Sequence, residues 1–327
     1  MITMAVVLAL ALYGLIRVGF GHPHHAPQPA SRHQPHSQPS ALPPGAITVK
    51  QDKLMGVSTV TPVTDRMQAF ATAVGRQPDV VEYYLPFAKR PFPGTTAYEL
   101  GKQNILSLIQ LDPRKISLHA IARGKFDTYL HEFAGQVHQF GGRVALSFGH
   151  EMNGWWYSWC IPVKHTQAQV TTVPANFVAA WRHIHDVFQA EHASNVTWVW
   201  TISRNTQRLG WPPLSAWWPG SKYVDWIGMD GYFRQAGETF SDLFDAQLAV
   251  VGQITKKPLL ITETAVSGAN ADYASQVKQI FAGVTDPANH MLGFIWFDID
   301  ADAHWNIDHV KALDTTVSKE ISDYRYH

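Results

Sequence analysis

The chain has 327 residues, and its 26 Lys and Arg are matched by 26 Asp and Glu, so no basic surplus points to nucleic acid or to an anionic membrane face. Charged residues make up 16% and hydrophobic ones 46%, enough for a sizeable core in one large domain or two small ones. Twelve tryptophans exceed what packing alone calls for, while the lone Cys160 excludes an intrachain disulfide and is expected to be a small buried packing residue.

At the N-terminus, Ile2 to Ile16 is apolar apart from Thr3, and Arg17 follows. This is shorter than the roughly 20 residues a membrane span needs and fits a secretory hydrophobic region better. A basic leader and a small-x-small cleavage site are both missing. Residues 1–20 are therefore expected to be a signal peptide or an uncleaved membrane anchor, with export in either case, to the medium or to the cell surface. Residues 21–46 are mostly Pro, His, Gln, Ser and Ala. They bury too little to offset ordering entropy and are expected to form a disordered linker. Its His22, His24, His25, His33 and His36 fix no ligand geometry, so no metal is assigned to them.

From residue 47 onward, short apolar runs alternate with helical patterns. The strand candidates are Leu54–Val60, Val80–Leu85, Ile105–Gln110, Val144–Phe148, Val196–Ile202, Val224–Met229, Pro258–Thr262 and Leu292–Phe297. They are apolar on both faces, as parallel strands covered on both sides should be. Four helical stripes lie between them: Phe126 to Phe140 ending at Gly141-Gly142, Phe177 to Phe188 starting near Pro174, Phe240 to Ile254, and Tyr273 to Ile280. Eight such units predict an α/β fold, a single (β/α)8 TIM barrel over 47–327. An open doubly wound sheet is the alternative, but no strand is followed by a glycine-rich phosphate loop.

Two glutamates stand at strand ends. Glu151 follows the fourth strand within Gly149-His150-Glu151-Met152-Asn153-Gly154-Trp155-Trp156, and Glu263 closes the seventh within Ile261-Thr262-Glu263-Thr264. In a barrel both would face one cleft, the arrangement of the acid and nucleophile of a sugar-cleaving enzyme. Phe148, Met152, Trp155 and Trp156 should desolvate Glu151 and suit it to be the acid. Thr262 and Thr264 offer hydroxyls to an ionised Glu263. From composition alone the two roles remain interchangeable.

The run His150-Glu151-Met152-Asn153-Gly154 with Trp156, then Asp230-Gly231-Tyr232, Thr262-Glu263 and Trp296-Phe297, in that order, resembles glycoside hydrolase family 26 from about residue 54 onward. The resemblance implies a retaining endo-β-glycanase, typically a β-mannanase, with Glu151 as acid/base and Glu263 as nucleophile. It implies that His150 supports the acid or contacts the sugar, that Tyr232 bonds the nucleophile and that Asp230 serves a sugar hydroxyl or the groups around it. Trp155, Trp156, Trp296 and Trp305 would offer flat faces to sugar rings. One departure bears on the sugar: an arginine common in the mannanases, three residues before the histidine, is here Ser147. That, with Trp156-Tyr157 and the Trp296 to Asp308 stretch, is closer to the mixed-linkage β-glucanase branch.

The expected substrate is thus β-1,4-mannan or glucomannan, with β-1,3-1,4-glucan second, acted on by a monomer without cofactor or metal. A non-catalytic glycan-binding barrel is the alternative of another class, and an enzyme remodelling its own exopolysaccharide is a third. Trp155, Trp159, Trp217 and Trp218 are further candidate platforms, whereas Trp181 and Trp198 belong to the core. Asp298-Ile299-Asp300-Ala301-Asp302 starts like a calcium loop but lacks its glycine and terminal glutamate, so a cleft-shaping loop is expected. His183 and His185 point to different helix faces and do not share a metal. Asn195-Val196-Thr197 is a formal glycosylation sequon that runs into a predicted strand.

Overall fold

The computed structural model describes residues 53–204, 210–307 and 319. The expected leader (1–20), the linker (21–46) and Asp308 lie outside the described residues. Eight parallel strands close into a barrel in sequence order: β1 (Leu54–Ser58), β2 (Val80–Pro86), β3 (Leu106–Asp112), β4 (Val144–Phe148), β5 (Val196–Ser203), β6 (Trp226–Asp230), β7 (Leu259–Thr264) and β8 (Met291–Phe297), with β8 pairing back onto β1. This is the expected (β/α)8 barrel, and each strand falls within a few residues of its sequence-based position. Among the described residues seven helices cover it: α1 (Val63–Val74), α2 (Gly94–Gly101), α3 (Leu118–Ala122), α4 (Asp127–Phe140), α5 (Gln167–Ala190), α6 (Phe240–Ile254) and α7 (Tyr273–Thr285). Among the described residues, no helix is long and apolar enough to cross a membrane.

The helices start and stop where local chemistry supplies partners for their end groups. Thr239 caps α6 and Asp242 returns a bond to the Thr239 backbone, a capping box. Gly141 ends α4 in the left-handed conformation at φ 69°, which glycine adopts without a Cβ clash. The start of α5 differs from expectation. A capping box of Thr166 and Gln169 sets it a full two turns before Pro174, which lies inside the helix rather than in its first turn.

The barrel interior changes character along the strands. At the N-terminal end a small aliphatic cluster, including Leu54, Val80, Leu108, Ala145, Val199 and Leu260, fills the bore. Because inward positions recur every second residue, the same strands present polar groups further on. Ser58 follows Leu54 and Gly56; Glu82 and Tyr84 follow Val80; Gln110 and Asp112 follow Leu108; Ser147 follows Ala145; Thr201 and Ser203 follow Val199. The larger apolar core lies outside the barrel, between strands and helices, and takes up Trp159, Trp181, Trp198 and Trp217. Asn195, just before β5, donates its side-chain amide to the carbonyls of Val137 and Gly142 at 2.9 and 2.6 Å, fastening α4 to the strand that follows.

Candidate active site

Glu151 and Glu263 reach the C-terminal mouth of the barrel by two different backbone devices. After β4 the chain turns through Gly149 (φ 58°) and Glu151 itself, a non-glycine residue in the left-handed region at φ 52°. Such a conformation costs about 1–2 kcal/mol and persists because neighbours hold it. Glu151 N–H donates to the Thr201 carbonyl at 3.0 Å. Trp159 Nε1 donates to the His150 carbonyl at 2.8 Å, and Cys160 Sγ to that of Glu151 at 3.4 Å. Asn153 exchanges two hydrogen bonds with the Ser203 backbone, 2.8 and 2.9 Å, which ties the loop to the end of β5. Cys160 is buried as expected, and burial pushes its thiol up.

Glu263 sits at an irregularity. Met229 pairs with Ile261, but Asp230 pairs with Glu263, so one extra residue, Thr262, is accommodated in β7. Strict alternation would send Glu263 toward the helices; the bulge re-aims it to the barrel mouth. There its two oxygens accept hydrogen bonds from two tyrosines: Oε1 from Tyr84 Oη at 2.5 Å and Oε2 from Tyr232 Oη. Tyr84 is itself 2.9 Å from Ser58 Oγ. Burial, then the negative charge of Glu263, holds both phenols well above their ordinary range, so they remain O–H donors.

The threonines flanking Glu263 do not serve it as expected. Thr262 Oγ1 donates to Asp230 Oδ1 at 2.6 Å, and Thr264 Oγ1 is buried with no hydrogen-bond partner among the described residues. The bulge turns Thr262 to Asp230, and the tyrosines take the place assigned to the threonines.

The environment of Glu151 has the expected effect. Burial, then Glu263, raises its pKa to about 7, against the opposing pull of His150 and of the Trp156 hydrogen bond. That bond runs from Trp156 Nε1 to Glu151 Oε2 at 2.7 Å. His150 lies between Asp112 Oδ1, 2.8 Å from Nδ1, and Tyr157 Oη, 3.1 Å from Nε2. Burial works to lower the His150 pKa, but Asp112 together with Glu263 and Glu151 outweighs it and sets it at about 9. His150 is therefore a cation at neutral pH.

Asp230 is 1% exposed; burial and the charges of Glu263, Glu151 and Glu82 push its pKa well up, and its Oδ2 has no hydrogen-bond partner among the described residues. Glu82, absent from the sequence-based candidates, is wholly enclosed. It takes a 2.5 Å bond from Gln110 Nε2, and Ser58 also acts on its carboxyl group. Burial, then Glu263, raises its pKa well above the carboxylate range as well. A charged residue on an otherwise apolar strand was the signal for Glu82. Tyr84 and Asp112 carried none, because their neighbours come from distant strands.

Four of the candidate sugar platforms are corrected. Trp296 and Trp305 are each 1% exposed. Trp296 Nε1 donates to the Trp305 carbonyl at 3.2 Å, and Trp305 packs on Tyr232 with ring centroids 5.0 Å apart. Both faces are spent on the protein, so neither ring is open to a ligand. Trp159 and Trp217 are buried too. Trp155 and Trp156 stay half-buried beside Glu151, in a T-shaped pair at 4.7 Å, and Trp218 is half-buried against Trp200. The acidic loop binds its own chain: Asp298 Oδ1 accepts from Ile307 N–H at 2.8 Å, and Asp302 Oδ1 from Trp305 Nε1 at 3.1 Å. His183 pairs with Asp127 and His185 with Asp186, on separate faces as expected. Ser147 is buried and donates to Thr201 Oγ1 at 3.0 Å.

Known proteins resemble the chain in sequence and in fold. Endoglucanase H of Acetivibrio thermocellus is 26% identical over 259 residues, 76% of this chain and 28% of that protein. Mannan endo-1,4-beta-mannosidase A and B of Caldalkalibacillus mannanilyticus is 26% identical over 134 residues, 40% of this chain and 24% of that one. The chain thus spans about a quarter of the length of either relative. An endo-beta-1,4-mannanase structure from Cellulomonas fimi superposes with a TM-score of 0.64 at 16% identity, covering 84% of this chain and 71% of that one, a likeness of fold. The profile described as Glycosyl hydrolase family 26 matches residues 126–321, which span α4 through β8 and include both glutamates. With well over half its length matched, and with the barrel that such a family member requires, the chain belongs to glycosyl hydrolase family 26.

Proposed function

We propose that the protein is an endo-β-glycanase that cleaves by double displacement with retention of configuration. The observation that carries this reading is the contrast between the two carboxyl groups. Glu151, at about 7, holds its proton in much of the population at neutral pH, and Glu263 accepts one phenolic hydroxyl on each oxygen, which aims it for attack. Glu263 attacks the anomeric carbon while Glu151 gives its proton to the departing oxygen, so the glycosidic bond breaks as a glycosyl ester forms. Esterification removes the negative charge that helped raise Glu151. Its pKa therefore falls, and it becomes the base that takes a proton from water. Water then displaces Glu263, whose carboxylate returns to its tyrosines. His150 supports the acid, Tyr232 and Tyr84 orient the nucleophile, Asp230 steadies the bulged strand beneath it, and Trp155 and Trp156 offer ring faces to the sugar.

The motif around Glu151 and the mannan-degrading relative support β-1,4-mannan or glucomannan as substrate. A specific observation favours the second reading, β-1,3-1,4-glucan. Ser147 puts a neutral hydroxyl, engaged by Thr201, where the mannanases often carry arginine, and the relative aligned over 76% of the chain is an endoglucanase. Incubation with galactomannan, glucomannan, mixed-linkage β-glucan, xylan and β-1,3-glucan, with Glu263→Ala as blank, separates them by reducing ends and product size. NMR of the first-formed anomer tests retention: an initial α-anomer from a β-glycan overturns double displacement. Export through residues 1–20 and a monomeric domain over 47–327 complete the reading, tested by cell fractionation with N-terminal sequencing and by light scattering. No release from any glycan by a folded protein would favour a binding barrel instead.

A further inference from the structure

Arg234 has no part in the chemistry above, yet it lies at the centre of the contacts that surround Tyr232. It stands two residues after Tyr232 in the loop that leaves β6, and its Nη1 pairs with Asp302 Oδ2 in the loop that leaves β8. Its guanidinium carbon is 4.9 Å from the centre of the Trp305 ring and 5.4 Å from that of Tyr232. Trp305 reaches Asp302 in turn, through Nε1, and packs on Tyr232. Phe297 closes another side of Tyr232, edge-on at 5.4 Å. The turn that presents Arg234 is itself fixed, because Glu238 Oε2 accepts from the backbone N–H of Arg234 and Gln235 at 2.6 and 2.9 Å.

A tyrosine hydroxyl stands at the end of a long lever. A ring swing of roughly 10° moves it by about 1 Å, and misplacement of that order in an active site costs about 100-fold in rate. Tyr232 therefore needs its ring plane held, and ring contacts alone leave it free to slide. A planar cation that stacks on the ring and is anchored by a carboxylate from another loop supplies that restraint; a lysine, with no plane, would not.

We propose that Arg234 and Asp302 form a clamp across the β6 and β8 loops that positions Tyr232 against Glu263. The acidic loop that begins like a cation site is then the anchor for a cation of the chain itself. The consequence for turnover rests on the glycanase reading; the consequence for Tyr232 does not.

The test uses the full chain with Arg234→Ala, Arg234→Lys, Asp302→Asn, Tyr232→Phe and the Arg234→Ala/Tyr232→Phe double variant. Arg234→Ala and Asp302→Asn are expected to lower kcat by roughly 10- to 100-fold with KM within about twofold, and Arg234→Lys to lie between them and wild type. The Arg234→Ala penalty should vanish in the Tyr232→Phe background, where the hydroxyl to be positioned is gone. A readout independent of turnover is the hydroxyl proton resonance of Tyr232, assigned by its loss in Tyr232→Phe, which should broaden or disappear in Arg234→Ala. Asp302→Asn and Arg234→Lys carry the test if the alanine variant fails to fold. A folded Arg234 variant with that resonance intact and kcat unchanged overturns the clamp, as does a penalty that stays full in the Tyr232→Phe background. A silent wild type whose Tyr232 resonance still depends on Arg234 would keep the clamp and remove the glycanase reading instead.

Discussion

Glu151 is presented by a loop and Glu263 by a bulged strand, and their surroundings differ as much as their supports. Around Glu151 are tryptophans, an indole N–H and the Ser203 hydroxyl acting on the carboxyl group, and a nearby imidazolium. Around Glu263 are two phenolic donors, one on each oxygen, drawn from β2 and from the chain after β6. Burial keeps a proton on Glu151 close to neutrality. The two phenols, one on each oxygen, fix the direction of Glu263 on its bulged strand. Both groups are carboxyls in one cleft, and the difference between them lies in the kind and origin of their donors.

That comparison breaks most completely at Glu263. Glu263→Ala should reduce turnover by roughly 10^4-fold or more, because the covalent step has no other carboxylate to take it up. Azide added to this variant should give a glycosyl azide of inverted configuration, identified by NMR. Glu151→Ala should lose on the order of 10^2- to 10^4-fold on polysaccharide. It should lose far less on aryl glycosides with good leaving groups, and azide should then yield the retained product. Equal losses on both substrate types would remove Glu151 from the acid role.

Smaller changes sharpen the contrast. Tyr84→Phe and Tyr232→Phe each delete one donor to a charged acceptor, worth about 1.5–3 kcal/mol, or roughly 10- to 150-fold in kcat/KM. If the two tyrosines act together on one carboxylate, the double variant should fall short of the product of the single losses. Trp156→Phe should change the pH dependence more than the rate. The indole N–H lowers the Glu151 pKa, so its removal destabilises the anion and should move the alkaline limb of kcat/KM upward from about 7. A limb that stays put or moves down would mean that another group sets it. The smallest effect is expected at Glu82. Burial and Glu263 both disfavour its charge, so Glu82→Gln, which removes that charge at the same shape, should leave kcat and the pH profile within about twofold of wild type.

The barrel and its two glutamates were legible in the sequence for a physical reason. Strands covered on both faces are written as short apolar runs, and a glutamate at the end of such a run stands out. Tyr232 and His150 were legible through their motifs. Tyr84 and Asp112 were not, because they earn their importance only when closing of the barrel brings β2 and β3 to Glu263 and His150. The bulge that aims Glu263 is equally silent, since Thr262 and Glu263 look alike in a strand until the register with β6 is known. Trp296 and Trp305 misled for a related reason. Nothing local says that Arg234 and Asp302 will fold one loop across the other over Trp305, or that Trp296 will turn its N–H to the Trp305 carbonyl. Pro174 shows that a proline can sit two turns inside a helix when a capping box upstream has already set the start.

Asn195 bears on how the protein is made. Its amide nitrogen already serves two backbone carbonyls that join α4 to β5. A host that attaches oligosaccharides to Asn-x-Thr during synthesis would load that same nitrogen before the barrel closes. A glycan there replaces one of the two amide hydrogens, which leaves the Val137 and Gly142 carbonyls a single N–H between them. Folded material from such a host should therefore carry a bare Asn195, with the glycosylated chains held back by quality control. A host without that machinery avoids the sorting altogether.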